Sequence, residues 1–332
     1  MIHRTPRAVA LAMIATAGIA ALAGCSTSSP DTAEGTDAPI TIAAVYPNTA
    51  DPFWQTISCG AASRASELGV DLQQFNSTNT DTNTIASNFQ SASLIGADAM
   101  IVNPFQNNQF VAQYGKLMAD GVPIATSNGS DPQAEYITIN SDGNTAGFAD
   151  ELADVIPETG SMVYLGGAPG IPPLENRTLP FVDAVKALRP GLTALPDDYS
   201  GFDINKATTD VASLIIANPD LKLIIAATGP DGVGAAAAIE QAGKTGDITL
   251  IAFDAVPPEV DALKAGTITA LIAQDPFAIG SETVDALVDY LKAHPDGGPV
   301  PFADTKTIPS FVLTAANVDD PANAKYLYKT EC

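Results

Sequence analysis

Side chains that could bind a ligand recur where the predicted strands of this chain end. They are aromatic rings, amides, carboxylates, a hydroxyl and one arginine: Asp51, Phe53, Trp54, Asn103, Asn128, Arg177, Thr228, Asp254 and Gln274. Ligands of open α/β sheets bind beyond the carboxyl ends of the strands, so these residues are expected to face one crevice. Planar polar groups bind hydroxyls in pairs and aromatic faces cover C–H surfaces, so the set suits a neutral polyhydroxyl ligand better than acid–base catalysis.

The elements that position these residues are short apolar runs that alternate with helical stretches from Ile40 onward. Strands that alternate with helices predict parallel sheets covered by helices on both faces, an α/β fold. The rhythm restarts after Asn140, and two successive sets of about five strands predict two similar Rossmann-like lobes. A helix is predicted near 178–188, a strand over 192–199 and another strand over 307–313.

Composition excludes several classes of function. The 332 residues are 46% hydrophobic, which allows a large core and, at this length, two domains. Acidic residues outnumber basic ones by 38 to 15, which excludes nucleic acid because binding phosphates needs clustered Lys and Arg. Only two histidines occur, His3 and His294, which argues against a catalytic triad and against a multi-histidine metal site. The cysteines fit no zinc pattern and no acidic loop has calcium spacing, so no metal or cofactor is expected.

The first 24 residues have the pattern of a secretion signal. Two arginines precede an apolar stretch over 8–23, which is shorter than the ~20 residues that span a bilayer. The stretch ends in Leu-Ala-Gly-Cys25, which resembles the lipobox of bacterial lipoproteins, where the signal is cut before a lipidated cysteine. We therefore expect 1–24 to be removed and 25–39 to form a flexible linker, anchored by lipid at the extracytoplasmic face of the cell membrane. An ordinary signal with an incidental cysteine is the alternative.

Cys59 and Cys332 are then the remaining thiols in an oxidising compartment, which favours a disulfide between them. Cys332 is the last residue of the sequence, so the bond would hold an otherwise fraying tail to the helix that carries Cys59. Two free buried cysteines are the alternative.

Several motifs, taken in order, resemble those of the type I periplasmic sugar-binding proteins, the ribose- and galactose-binding group. They are Asp51-Pro-Phe-Trp54, Asn103-Pro104, Asn140-Ser141-Asp142, Arg177 four residues before Phe181, Phe253-Asp254, and Ala273-Gln274 ahead of Ile279-Gly280. The resemblance covers about 40–313. It implies two lobes joined by a multi-strand hinge, one made of 40–141 plus 275–306 and the other of 142–274 plus 307–332.

The resemblance also implies a function. In that family the first-loop aromatics sandwich the sugar, and an arginine, an aspartate and a glutamine, here Arg177, Asp254 and Gln274, bind its hydroxyls. The resemblance thus implies a monomeric protein that is not an enzyme. Such a protein closes on a sugar or polyol and delivers it to the permease of an ABC importer. Two departures leave the sugar open: Asn128-Gly129 stands where ribose binders have Asp-Arg, and Gly229-Pro230 where they have Asn-Asp.

Several candidates also have a plainer structural role. Phe53 and Trp54 could be core aromatics, Asp254 could cap the helix near Pro257, and Arg177 could be a surface charge. The sequence places Arg177 at the start of its helix, where the helix dipole disfavours a cation, and this favours the binding role.

Two other functions stay open. The same binding core could present its ligand to a membrane receptor as a sensory protein. Gly232-Val-Gly-Ala-Ala-Ala237 matches the dinucleotide pattern G-x-G-x-x-A, with Asp254 at the end of the next strand, which would indicate an extracytoplasmic NAD(P)-dependent enzyme. Against the enzyme, Pro230-Asp231 interrupts the turn and no proton-transfer residue is in view, so close helix packing explains the small residues better.

Overall fold

The computed structural model describes residues 39–104, 109–128, 137–141, 143–295 and 305–332. The predicted signal, the lipidation site Cys25 and nearly all of the predicted linker lie outside the described residues, as do Gly129 and Asp142. Within the described ranges, no helix combines the length and the apolar character needed to cross a membrane.

Strands and helices alternate along the described chain, as the sequence predicts. The strands are β1 (Thr41–Val45), β2 (Asp71–Gln74), β3 (Ala99–Val102), β4 (Ile124–Ser127), β5 (Ile137–Ser141), β6 (Gly160–Gly166), β7 (Leu192–Ala194), β8 (Asp198–Tyr199), β9 (Leu221–Ala226), β10 (Thr249–Phe253), β11 (Ala270–Ala273), β12 (Thr305–Ile308) and β13 (Phe311–Leu313). The helices are α1 (Pro52–Leu68), α2 (Thr82–Ala92), α3 (Val111–Ala119), α4 (Phe148–Glu151), α5 (Pro172–Leu188), α6 (Ile204–Ala217), α7 (Gly229–Gln241), α8 (Pro257–Ala265) and α9 (Pro276–Ala293), followed by a 3-10 helix over Pro321–Tyr326.

The strands form two separate sheets, each built mainly of parallel neighbours. The first sheet has the order β12-β5-β4-β3-β1-β2, and its strand pairs are parallel. The second sheet has the order β13-β11-β10-β9-β6-β7 with β8 beside β6, and among its described pairs only β13 with β11 is antiparallel. Strand β1 is buried along Ile42–Val45, a continuous apolar pattern typical of a parallel strand covered on both faces. The predicted α/β fold is confirmed.

The described chain passes between the two sheets at three places. β5 is followed by β6 of the other sheet, β11 is followed by α9, which packs on β4 and β5, and β12 is followed by β13. The limits of the two lobes along the chain stay a prediction.

Two predicted strands are wrong in their extent. The strand expected over 307–313 is two strands, β12 and β13, in different sheets. Pro309 lies between them, and a proline has no N–H to donate to a sheet ladder. The strand expected over 192–199 is likewise two short strands, β7 and β8, with Pro196 in the gap.

Helix α5 begins earlier than the sequence predicts, at Pro172 instead of near 178. Prolines suit the first turn of a helix, where the missing N–H would have no helical partner, and Pro173 follows directly. Arg177 therefore lies in the second turn of α5. The expectation that it begins the helix is wrong, and the dipole argument for its role does not apply.

Two glycines let helices α1 and α9 approach each other closely. A Cβ at Gly60 would lie 2.1 Å from the carbonyl oxygen of Phe277, and a Cβ at Gly280 would lie 2.0 Å from that of Ile57. Because α9 begins directly after the second crossover, this contact fixes the crossover against the first sheet.

Gly280→Ala is expected to lower the free energy of unfolding by about 2 kcal/mol or more. The added methyl group would clash with backbone atoms of α1, which cannot move away as a side chain could. Gly115 in α3 has no atom within 4 Å of a Cβ position and serves as the control. Gly115→Ala should stabilise by up to ~1 kcal/mol, since alanine favours the helix. Urea unfolding measures both variants, and equal effects would contradict the close contact of α1 and α9.

Candidate functional site

A buried ion pair lies at the carboxyl ends of the strands of the second sheet. Arg177 donates from Nη1 to Oδ1 of Asp254 at 2.8 Å and from Nη2 to Oδ2 at 3.3 Å, with side chains only 7% and 8% exposed. Nη2 also donates to the carbonyl oxygen of Ala227, just after β9, at 3.0 Å. The guanidinium lies 5.5 Å from the centre of the Phe253 ring. Arg177 is therefore a buried site residue and not a surface charge.

Asp254 accepts hydrogen bonds from three further groups. Gln274 donates from Nε2 to Oδ1 at 2.9 Å, the Tyr328 hydroxyl donates to Oδ1 at 3.0 Å, and the N–H of Gly229 donates to Oδ2 at 3.2 Å. The backbone of Asp254 has a φ of +87°, a region that residues other than glycine rarely adopt. These partners fix its position, and we call Arg177, Gly229, Asp254, Gln274 and Tyr328 the Asp254 cluster. Sequence reasoning missed Tyr328, which follows no strand.

The predicted first-loop residues lie at the N-terminus of α1, close to the Asp254 cluster. Asp51 caps this helix, since its Oδ1 accepts the N–H of Phe53 at 3.0 Å. Burial raises the pKa of Asp51 to about 6; the N–H of Phe53 opposes the shift, and the negative charge of Asp254 adds to it. The centre of the buried Phe53 ring lies 5.2 Å from that of Trp54 and 5.8 Å from that of Tyr328. The loop after β1 thus meets the cluster, although Asp254 belongs to the second sheet.

A cavity of about 230 Å³ opens between the ends of the two sheets. Most of the residues that line it have polar side chains; the lining consists of Asn128, Asn140, Ser141, Gly143, Pro173, Asn176, Arg177 and Thr307. Asn128 directly follows β4 and Asn140 lies in β5, both of the first sheet, whereas α5 supplies Asn176 and Arg177. Arg177 therefore connects the cavity with the Asp254 cluster, and groups from both sheets could contact one ligand.

Three buried amide oxygens near the strand ends have no hydrogen-bond partner among the described residues. They are Oδ1 of Asn48 after β1, Oδ1 of Asn140 in β5 and Oε1 of Gln274 after β11. A buried acceptor without a partner is unfavourable by about 1–3 kcal/mol, so such a group indicates a missing hydroxyl or water. Asn48 and Asn140 were not among the predicted binding residues, although their strand-end positions would have identified them.

Two predicted binding residues, Asn103 and Thr228, have structural roles, and their contact with a ligand stays a prediction. Asn103 is fully buried, donates from Nδ2 to the carbonyl oxygen of Val45 at 3.3 Å and accepts the N–H of Ser127 at 2.7 Å, which ties together the ends of β1, β3 and β4. Thr228 caps α7: its Oγ1 accepts the N–H of Asp231 at 3.4 Å and donates to Oδ2 of Asp231 at 2.6 Å. Both follow strands as predicted, but their polar atoms bind the protein itself.

Two further acids are buried beside the Asp254 cluster. Asp231 accepts a hydrogen bond from the Ser200 hydroxyl, and burial raises the pKa of Asp231 to about 6. Glu259 accepts the N–H of Val256 at 3.1 Å and so caps α8, the role that the sequence left open for Asp254. Burial, reinforced by the negative charge of Asp254, raises the pKa of Glu259 well above its usual value.

The glycines of the dinucleotide-like motif are explained by packing. A Cβ at Gly232 would lie 2.1 Å from Oε1 of Glu259 and 3.0 Å from Cβ of Ala252, and a Cβ at Gly234 would lie 2.5 Å from Cβ of Ala207. The absence of a side chain at Gly232 therefore lets α7 pack closely on β10 and on the buried Glu259. The absence of one at Gly234 lets α7 pack closely on α6. This arrangement agrees with the packing explanation for the motif.

Two of the cysteines are paired in the described part of the chain. Cys59 of α1 and Cys332 form a disulfide with their Cα atoms 5.3 Å apart, which is the pairing that the sequence favoured. No group of three or more His, Cys, Asp or Glu among the described residues could hold a metal ion.

Arg177→Ala is expected to lower the free energy of unfolding by about 3–5 kcal/mol, because it leaves the Asp254 carboxylate buried without its counter-charge. Arg64, whose ion pairs with Glu67 and Asp285 lie at the surface, is the control, and Arg64→Ala should change stability little. In urea unfolding, the double variant Arg177→Ala/Asp254→Ala should lose less than the sum of the two single losses. Additive losses would contradict a coupled pair.

Comparison with known proteins assigns the chain to a family. It is 26% identical over 255 residues to the ribose import binding protein RbsB of Salmonella typhimurium, covering 76% of this chain and 85% of that protein. It is also 26% identical over 253 residues to a xylitol-binding protein of Mycolicibacterium smegmatis, covering 74% of this chain and 68% of that one. The fold matches an ABC transporter solute binding protein of Agrobacterium vitis bound with alpha-D-tagatopyranose, with a TM-score of 0.77 and 28% identity over 87% of this chain and 99% of that chain.

These findings confirm the resemblance that the motifs indicate. The family model described as periplasmic binding protein domain matches residues 42–295, which include both sheets up to the end of α9. The chain belongs to the periplasmic binding protein domain family.

Proposed function

We propose that this protein is the extracytoplasmic substrate-binding component of an ABC importer and that it binds a neutral sugar or polyol between its two sheets. The names of its relatives support this, since they describe binding proteins for ribose and xylitol and a transporter protein holding tagatopyranose. Its ligand is carried and not converted, so the proposal needs no catalytic group or cofactor.

The observation that carries the proposal is a set of unpartnered amide oxygens that lie after β1, in β5 and after β11, so that both sheets contribute. The oxygens of Asn48, Asn140 and Gln274 can accept hydrogen bonds but have no donor among the described residues. A polyhydroxyl ligand supplies several O–H donors on one small frame, which matches such a set. Arg177 is the cation at this site, and its charge is already balanced by Asp254. The site therefore favours a neutral ligand over an anion.

The proposed mechanism is hinge closure. Residues of the first sheet, such as Asn128 and Asn140, and residues of the second, such as Arg177, line the same cavity. A ligand that hydrogen-bonds to both sides stabilises the form in which the sheets are close, and rotation about the three crossovers opens it. The permease of the importer would recognise the closed form of the monomeric binding protein and receive its ligand. The lipid anchor would keep the binding protein at the membrane.

The intrinsic fluorescence of Trp54, the single tryptophan, offers the direct test. Titration of residues 26–332 with pentoses, hexoses, alditols and inositols should give a saturable change for at least one class, because Trp54 packs edge-on against Phe53 beside the cluster. Asp254→Asn should weaken binding by about ten- to a hundredfold, the effect of losing hydrogen bonds to a charged group.

Asp203→Asn is the matched control, since Asp203 only caps α6 at the surface, and it should bind like the wild type. A folded protein that responds to none of these compounds would refute the proposed ligand class.

The lipid anchor is tested by expressing the full chain in a bacterium that processes lipoproteins. Cys25→Ser should move the protein from the membrane fraction to the soluble fraction, because the acyl-bearing thiol is lost. The control is the variant Cys59→Ser/Cys332→Ser, which lacks the two other cysteines. This variant should remain in the membrane fraction. An unchanged distribution for Cys25→Ser would contradict the anchor.

A further inference from the structure

The C-terminal tail, residues 321–332, forms a fourth connection between the two sheets. On the side of the second sheet, the Tyr326 ring stacks on Phe311 of β13 at 4.9 Å, and the N–H of Tyr328 donates to the carbonyl oxygen of Ala255 at 3.1 Å. The tail then reaches α1, which follows β1 of the first sheet. There the N–H of Lys329 donates to Oγ1 of Thr56 at 2.6 Å.

The Cys59–Cys332 disulfide makes this connection covalent. A chain terminus with a few exposed residues normally frays, and the residues after Lys329 are exposed. Because the disulfide closes the tail onto the same helix that Lys329 contacts, it holds the tail on the first sheet.

Tyr328 lies between these two attachments and contacts the site from three sides. Its hydroxyl donates to Oδ1 of Asp254 at 3.0 Å and accepts the backbone N–H of Gln274 at 3.3 Å. Its ring packs on Phe53, 5.8 Å away, and the whole side chain is 4% exposed. It therefore touches the second sheet, the second crossover and the first loop at once.

We infer that Tyr328 is a positioning residue of the ligand site and that the Cys59–Cys332 disulfide holds it there. Its hydroxyl fixes the Asp254 carboxylate and the backbone of Gln274, the residue whose Oε1 is free to accept a ligand hydroxyl. Burial, reinforced by the negative charge of Asp254, raises the pKa of Tyr328 well above its usual value. The hydroxyl therefore keeps the proton that it donates to Asp254. The inference rests on the proposed function only in taking the Asp254 cluster as the ligand site.

The test follows the amide hydrogen exchange of Gln274 by NMR in the ligand-free protein. Tyr328→Phe removes the acceptor of this N–H and should speed its exchange by about fivefold, the effect of one neutral hydrogen bond. Tyr326→Phe is the matched control, because it removes a hydroxyl from the same tail away from Asp254, and it should leave Gln274 unchanged. Unchanged exchange at Gln274 in Tyr328→Phe would overturn the inference.

The role of the disulfide is tested in Cys59→Ser/Cys332→Ser. The amides of Lys329 and Gln274 should exchange faster by a larger factor than that of Ile101, which is buried in β3 and reports the loss of global stability. An equal rise at Ile101 would mean that the bond stabilises the whole chain and not the tail, and would overturn this part.

A second readout separates positioning from packing. With the sugar that the Trp54 titration selects, Tyr328→Phe should bind about fivefold more weakly, by the same lost hydrogen bond, and Tyr326→Phe should bind normally. Because the exchange measurements need no ligand, a chain that bound no sugar would refute the proposed function and leave the exchange result for Tyr328 standing.

Discussion

The site depends on the buried pair of Arg177 and Asp254. Two charges removed from water are stable only when their remaining donors and acceptors are also satisfied. The pair therefore constrains its surroundings: Ala227 after β9 takes an Arg177 N–H, and Gln274 at the crossover and Tyr328 from the tail donate to Asp254. Elements distant in sequence are thereby fixed at one point, where the two sheets face each other.

The surroundings of this pair are acidic, and this has consequences for ligand and pH. Asp51 and Asp231 have a pKa raised to about 6, chiefly by burial. An acid with a raised folded-state pKa binds protons in the native state that the unfolded chain has released, so its contribution to stability declines as the pH rises from about 4 to 6. Above these pKa values the charges of Asp51 and Asp231 repel anions, and a neutral hydroxylated ligand avoids this repulsion.

Local sequence patterns predicted the fold and which residues follow the strands at the candidate site, because both follow from the alternation of strands and helices. Asp254 and Gln274 were identifiable since each directly follows a buried strand. The same rule could not separate Asn103, whose amide binds β1 and β4, from residues that face the cavity, because side-chain direction depends on neighbouring strands. Tyr328 follows no strand, and only the three-dimensional path of the tail brings it to Asp254.

Helix starts and strand breaks at prolines were the other source of error. Pro172 opens α5 ahead of the predicted start, so Arg177 reaches Asp254 from the second turn of the helix. Pro309 separates two strands that belong to different sheets. In both cases the missing N–H of the proline determines where the helix begins or the strand ends.

A crystal structure of the protein with the sugar that it binds most tightly would show whether residues of both sheets hold one ligand. We expect one sugar ring in the cavity lined by Asn128, Asn140 and Asn176, with its hydroxyls in hydrogen-bond contact with Arg177 or Asp254 and with the oxygen of Asn140 or Gln274. A sugar bound outside this cavity, or one that contacts the residues of a single sheet only, would contradict this expectation.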